Sequence, residues 1–323
     1  MRKRKSRYLF MLPALLIYCI VVVVPALYSI SLSFFKWNGL GKKTFVGFKN
    51  YVNLFSVDVV FQTALKNNLL WILLTIVFVT SIALFLAMIL NRSFHGRVMY
   101  RAIFYFPYML SWVVIGIIWK WIYNPNIGFL DEMLKLIGCA DLKIKWLSDP
   151  KIALYCVFVA SLWQGVGQPM LYFLAGLQAI PQELYEAARV DGAGKISLFI
   201  HITIPQLKET FVIVFATLII ASMKVYDVVY VMTNGGPANS TQTLASYMYS
   251  QTFSFSNLGT GSAIATVMMM IMMVIIIPYG MKILSELGKV PPMNTTSKHM
   301  EKILHILILQ TCGKLKIGIR RNG

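Results

Sequence analysis

Long uncharged stretches dominate the pattern of hydrophobic and polar positions along the chain. A helix needs about 20 mainly apolar residues to cross a bilayer core of about 30 Å, and stretches of that length recur in the sequence. No alternating pattern typical of membrane-barrel strands accompanies them, so they predict helices. The sequence therefore predicts an all-α integral membrane protein with six transmembrane helices, at residues 9–35, 69–90, 103–123, 152–177, 211–232 and 262–284.

The composition agrees with this prediction. Hydrophobic residues make up 58% of the 323 residues and charged residues only 13%, about half the charged fraction of a soluble domain. A soluble enzyme is thereby nearly excluded. A cleaved signal peptide is the alternative for the first stretch, but that stretch exceeds the roughly 7–15 apolar residues of a signal peptide. The four cysteines have no short metal-ligand spacing, so neither a disulfide framework nor a metal site is predicted.

The distribution of basic residues predicts the orientation in the membrane. The formal net charge is +18, and the cytoplasmic loops of membrane proteins are enriched in lysine and arginine. If the N-terminus is cytoplasmic, that side carries 18 lysines and arginines against 9 on the outer side. Both the basic N-terminal segment, residues 1–8, and the tail, residues 289–323, are therefore expected in the cytoplasm. Because membrane topology accounts for the positive charge, no nucleic-acid partner is predicted.

The cytoplasmic connection between the fourth and fifth spans, residues 180–205, has a helical pattern of its own. Pro181 suits the first turn of a helix, and the charge of Glu183 favours the positive end of that helix. Asp191 and Gly192 predict a turn, and the apolar stripe after it predicts a second helix that ends before Pro205. One face of the first helix carries Leu184, Ala187, Ala188 and Asp191. The segment predicts a helix-turn-helix finger suited to a groove of a partner protein.

This finger resembles the EAA signature of permease subunits in binding-protein-dependent ABC importers. The signature reads E-A-A-x2-D-G-A, eight residues and then I-x-L-P, and only the penultimate leucine differs here, as Ile204. The matching residues are Glu186, Ala187, Ala188, Asp191, Gly192, Ala193, Ile202 and Pro205. The resemblance implies the type I ABC importer permease fold, in which these residues, between helices 4 and 5, dock on an ATPase.

Other segments resemble the sugar-uptake permeases of the maltose, glycerol-phosphate and lactose type. They include Trp146–Pro150, Phe173–Gln178 and Asn234–Thr241. The resemblance implies a bacterial inner-membrane heterodimer with a second, homologous permease. It also implies two cytoplasmic ATPase subunits that bind ATP with magnesium, and an extracytoplasmic solute-binding protein that delivers a carbohydrate. The tail, residues 289–323, departs from the family, and no function is predicted for it.

No catalytic centre is predicted in this chain. The sequence has no G-x-x-x-x-G-K-[ST] phosphate loop, so ATP hydrolysis is expected in a partner and no cofactor is expected here. Two alternatives stay open, an ABC permease for a solute other than a sugar and an ion-coupled secondary transporter. A secondary transporter needs acidic residues within its spans, and only Asp227 qualifies.

Two groups of polar residues within the spans are candidate functional residues. The fourth span combines amides and rings that suit hydrogen bonding to a polyol and stacking on it, although close helix packing explains the same residues equally well. These candidates for the substrate pathway are Trp163, Gln164, Gln168 and Tyr172. In the fifth span, Lys224 and Asp227 are three residues apart and are predicted to form an intramembrane ion pair.

Overall fold

The computed structural model describes residues 11–139 and 144–287, with side chains through Val274, and the packing reported below lies in the unit that ends there. The predicted terminal segments, residues 1–8 and 289–323, lie outside the described residues. A short antiparallel hairpin pairs β1 (Phe35–Lys36) with β2 (Thr44–Phe45). The helices are α1 (Met11–Leu32), α2 (Lys49–Ser56), α3 (Val59–Leu90), α4 (Arg97–Met109), α5 (Trp112–Ile122), α6 (Phe129–Leu136), α7 (Ala153–Gly165), α8 (Gly167–Ala179), α9 (Gln182–Val190), α10 (Lys195–Gln206), α11 (Lys208–Met223), α12 (Asp227–Met232), α13 (Leu244–Tyr249) and α14 (Leu258–Leu287).

Two of the described helices, α1 and α3, are each long and apolar enough to cross a membrane. Two further pairs qualify only if each bent pair forms one span: α4 with α5, bent by 97°, and α10 with α11, bent by 66°. By length and composition, the described residues therefore hold two spanning helices, or up to four. The count of six spans stays a prediction.

The predicted spans at 103–123, 152–177 and 211–232 are each divided between two helices. At the first break, the Ser111 hydroxyl caps α5 by accepting a hydrogen bond from the Val114 N–H at 3.3 Å. At the second, Gly165 and Gly167 flank the residue between α7 and α8, and glycine is a weak helix former. At the third, α11 ends at residue 223 and α12 begins at residue 227. Apolar composition alone does not predict such breaks.

Helix α3 organises the packing, because it contributes buried side chains to all three apolar clusters. Near its start, Phe61 packs with residues of α2, α13 and α14. In its middle, Trp71 packs with residues of α5, α7 and α12. Toward its end, the side chains from Val79 to Leu90 pack with α8 and α11. Helices distant in sequence are thus held together through one long helix.

Two adjacent asparagines of α3 add buried polar contacts to this packing. The Asn67 side-chain amide donates to two backbone carbonyls of the loop before α13, both at 2.8 Å. Asn68, 1% exposed, donates from Nδ2 to the carbonyl oxygen of Ser222 at 3.0 Å. Its Oδ1 accepts from the N–H of Leu244 at 2.6 Å. One side chain thereby joins α3 to the end of α11 and the start of α13.

We expect the change Asn68→Ala to destabilise the protein by about 2 kcal/mol or more, because it leaves the buried Leu244 N–H without an acceptor. The measurement is the thermal unfolding midpoint of the purified protein in detergent. Asn53→Ala is the matched control, since the Asn53 side chain is exposed on α2. Equal midpoints for the two variants would contradict the role of Asn68.

Candidate functional site

The finger predicted from the sequence is present as α9 and α10, joined by the turn from residue 191 to residue 194. The Tyr185 hydroxyl on α9 is hydrogen-bonded to the Thr203 hydroxyl on α10 at 3.0 Å. Tyr185, Phe199 and Ile204 also pack against the apolar cluster that α3, α8 and α11 form. The finger is therefore attached to the helical body by side chains from both of its helices.

The Asp191-Gly192-Ala193 part of the signature ends α9 with a Schellman motif. The Ala193 N–H donates to the carbonyl of Ala188 at 2.9 Å, and the Gly192 N–H donates to the carbonyl of Arg189 at 3.0 Å. Gly192 has a φ of +82°, in the left-handed region that glycine adopts without a steric penalty. A Cβ atom at this position would meet no atom within 4 Å, so the need for glycine lies in the backbone alone.

Both helices of the finger carry apolar side chains that are uncovered in the structure. Val190 is 88% exposed and Ile196 is 76% exposed, and Leu184, Ala187 and Ile200 are also exposed. Ala188 is half-buried, so the predicted face of small residues turns partly inward. Several large apolar side chains exposed within one short segment are typical of a protein-interaction site. We call Leu184, Ala187, Val190, Ile196 and Ile200 the docking face.

The opposite side of α9 lines a groove of about 660 Å³ between the finger and the ends of α3 and α8. Gln182, Tyr185, Glu186 and Arg189 follow the i, i+3, i+4, i+7 spacing of one helical face and all line this groove. Glu186 and Ala187, neighbours in the signature, therefore lie on different faces of α9. The sequence pattern did not reveal the groove, because α3, α8 and α10 supply the rest of its wall.

The second helix of the finger was expected to end before Pro205, and this expectation was wrong. Helix α10 continues to Gln206 through a π-helical turn at Phe199–Thr203. Pro205 lies in the short segment Ile204–Gln206 that continues the helix after this π-helical turn. Pro205 is exposed, whereas Ile202 is half-buried.

The candidate pathway residues of the fourth predicted span are divided by the break between α7 and α8. Gln164 is 3% exposed and donates from Nε2 to the carbonyl of Leu110 at 2.8 Å, at the bend between α4 and α5. Its role as an interhelical contact agrees with the packing interpretation. Gln168 donates from Nε2 to the Tyr172 hydroxyl at 2.7 Å. Trp163 is 41% exposed, and its ring lies 6.0 Å from that of Trp119.

Lys224 and Asp227 do not form the predicted ion pair in the structure. No ion pair within 4.0 Å joins these two described residues, whereas Lys135 and Glu132 form one at 2.6 Å. Lys224 and Asp227 are both exposed and lie on either side of the break between α11 and α12. The i, i+3 spacing brings two side chains together only within a continuous helix, and the helix is interrupted here.

Sequence reasoning also missed Asn67 and Asn68 as polar contacts of the core. The sequence did contain a sign of them. Because Lys66, Asn67 and Asn68 form a polar run, the second predicted span was placed after them, from residue 69. In the structure the helix begins ten residues earlier, at Val59, where the Asp58 carboxylate caps it by accepting from the Phe61 N–H at 2.9 Å. Polar residues inside a spanning helix are thus compatible with it when they bond to neighbouring backbone.

The comparison with known families agrees with this geometry. Residues 79–286 match the family described as the inner membrane component of binding-protein-dependent transport systems. The chain belongs to this family. The matched region runs from the end of α3 through the finger into α14, so the family resemblance seen in the sequence is confirmed. This is a family of ABC transporter permeases, and membership places the chain among membrane proteins.

Individual relatives of this permease cover most of its length. A probable ABC transporter permease protein of Pyrococcus horikoshii is 40% identical over 84% of this chain and 93% of its own. The sulfoquinovosyl glycerol transport system permease protein SmoG of Agrobacterium fabrum is 35% identical over 80% of this chain and 84% of its own. Among solved structures, a bacterial alginate ABC transporter in complex with a pentasaccharide-bound periplasmic protein has the same fold. Its chain matches with a TM-score of 0.74 at 21% identity, over 86% of this chain and 93% of that chain.

We expect Gly192→Ala to destabilise the end of α9 by about 1–2 kcal/mol, because alanine resists a positive φ. Gly194→Ala is the matched control, since Gly194 has a φ of −74° and equally open space. Hydrogen exchange of the finger amides in the purified protein measures the difference. Exchange that is equally fast in both variants would contradict the importance of the Schellman turn.

Proposed function

We propose that this permease forms part of the membrane pathway of an ATP-driven carbohydrate importer, and that its docking face binds an ATPase subunit. The observation that carries the proposal is the exposed apolar surface around Val190, on a helix that the signature residues Asp191, Gly192 and Ala193 terminate. An apolar face of this kind suits insertion into a groove of a partner. The chain itself is proposed to lack ATPase activity, with ATP and magnesium bound by the partner.

The proposed assembly contains a second, homologous permease, two cytoplasmic ATPase subunits and an extracytoplasmic solute-binding protein. The relative with the same fold was solved together with a periplasmic protein, which supports a binding-protein partner here. We further propose six spans in a bacterial inner membrane with both termini in the cytoplasm. The basis is the excess of lysine and arginine on that side.

The proposed cargo is a carbohydrate. The names of two relatives, a sulfoquinovosyl glycerol permease protein and an alginate transporter, support this substrate class. Within this chain, Trp163, Gln168 and Tyr172 stay the candidates for contact with the cargo, while Gln164 keeps one buried atom, Oε1, without a protein partner. Because this atom is buried, Gln164 is proposed to hold α7 against the bend between α4 and α5 and not to contact the cargo.

Motion of the ATPase is proposed to reach the pathway through α8. This helix carries Gln168 and Tyr172 and ends at Ala179, and only two residues separate it from the start of α9 at Gln182. Leu177 and Ile180, at the end of α8 and just after it, are buried in the same cluster as Leu207 before α11. A displacement of the finger therefore acts directly on the helix that bears the candidate cargo contacts.

We expect Val190→Asp to abolish carbohydrate uptake and to release the ATPase, because a charged group would have to be buried in the interface. Val190→Leu, which keeps the surface apolar, is the control and should retain both. The experiment is uptake of labelled sugar by proteoliposomes that contain the complete transporter and its loaded solute-binding protein, with co-purification of the ATPase measured in parallel.

Normal uptake and ATPase retention in Val190→Asp would contradict the docking role. Uptake driven by an ion gradient without the ATPase would instead support a secondary transporter. If the solute-binding protein delivers amino acids and not sugars, the ABC permease assignment survives and the cargo assignment fails.

A further inference from the structure

The groove behind the finger has a charge pattern that the docking proposal does not use. Its wall combines the end of α3, the end of α8 and both helices of the finger, with a volume of about 660 Å³. Volumes in the range of roughly 300–1,000 Å³ are typical of small-molecule sites. The groove therefore has the size of a ligand site on the side of α9 that faces away from the docking face.

Three basic side chains from three different elements line this groove: Arg92 after α3, Arg189 on α9 and Lys195 on α10. Glu186 is the one acidic residue among the lining residues. None of the three cations forms an ion pair within 4.0 Å with a carboxylate that the structure describes. Several positive charges that line one cleft raise the electrostatic potential inside it, and the cleft then attracts anions.

The remaining wall suits a ligand with a polar and an apolar part. Asn91 and Gln178 supply amide donors beside the basic side chains. Leu177, Leu198 and Phe199 supply apolar surface deeper in the wall. One arginine side chain can bind a phosphate with two parallel N–H hydrogen bonds, and a lysine side chain binds it as a point charge.

We propose that this groove binds a phosphate-bearing ligand at the cytoplasmic face and that the ligand regulates the finger. A phosphate held by Arg92 and Arg189 links the end of α3 to α9, and Lys195 adds α10 to the same contact. The bound ligand restrains the finger relative to the helical body without covering the docking face. Two sources supply the same chemistry, the headgroup of an anionic phospholipid and a soluble phosphorylated sugar. The proposal does not depend on the identity of the cargo.

The test uses the complete transporter with its ATPase. In the first arm, binding of a hexose phosphate is measured by calorimetry in nanodiscs of phosphatidylcholine. In the second, retention of phosphatidylglycerol against phosphatidylcholine is measured by native mass spectrometry. Binding in the first arm assigns a soluble ligand, and selective retention in the second assigns a lipid headgroup.

Four variants connect the binding to the groove. We expect Arg92→Gln and Arg189→Gln each to weaken binding about tenfold, since each removes a charge-assisted pair to the phosphate. We expect Glu186→Gln to tighten binding about threefold, because it removes a like charge. Arg97→Gln is the control, since Arg97 is exposed at the start of α4 and does not line the groove.

The opposite signs of the changes at Glu186 and Arg189 separate anion binding from a general loss of structure, which would weaken both variants. Binding that is unchanged in Arg92→Gln and Arg189→Gln, or absent from both arms, would overturn the proposal. Because binding is measured without transport, its failure leaves the assignment of the chain as a permease untouched.

Discussion

The packing of one helix, α3, constrains the rest of the structure. Its 32 residues, Val59–Leu90, reach all three apolar clusters, so helices that belong to different clusters are positioned through it. Close packing of apolar side chains stabilises the contacts between these helices, and the Asn68 side chain fixes the end of α11 and the start of α13 by hydrogen bonds. The broken helices around α3 therefore have defined positions, although most of them are too short to be stable alone.

The finger packs against the helical body on one side and is exposed on the other. Tyr185 and Phe199 pack on the cluster that α3 and α8 share, while Val190 and Ile196 face outward without a cover among the described residues. Between these two regions, the turn at Gly192 ends α9 with satisfied carbonyls. An uncovered surface on helices that pack against the helical body suits the transfer of motion between subunits better than an unpacked loop does.

The sequence predicted the elements with strong local signals. The finger was found because Asp191-Gly192 requires a turn, and the family was found because the signature residues have fixed spacing. The sequence did not predict the tertiary contacts. The predicted ion pair of Lys224 and Asp227 is not formed, because a helix break separates the two residues. The groove that Glu186 and Arg189 line depends on α3 and α8, which are distant in sequence and therefore absent from any local pattern.

Site-specific cross-linking tests the central claim, that the exposed side of α9 binds the ATPase, most directly. In a transporter without other cysteines, a single cysteine replaces either Val190 on the docking face or Gln182 on the groove side, and a short cross-linker is added. We predict that the cysteine at position 190 joins the chain to the ATPase and that the cysteine at position 182 does not. Cross-linking from position 182 alone would contradict the account, because the ATPase would then occupy the groove and not the docking face.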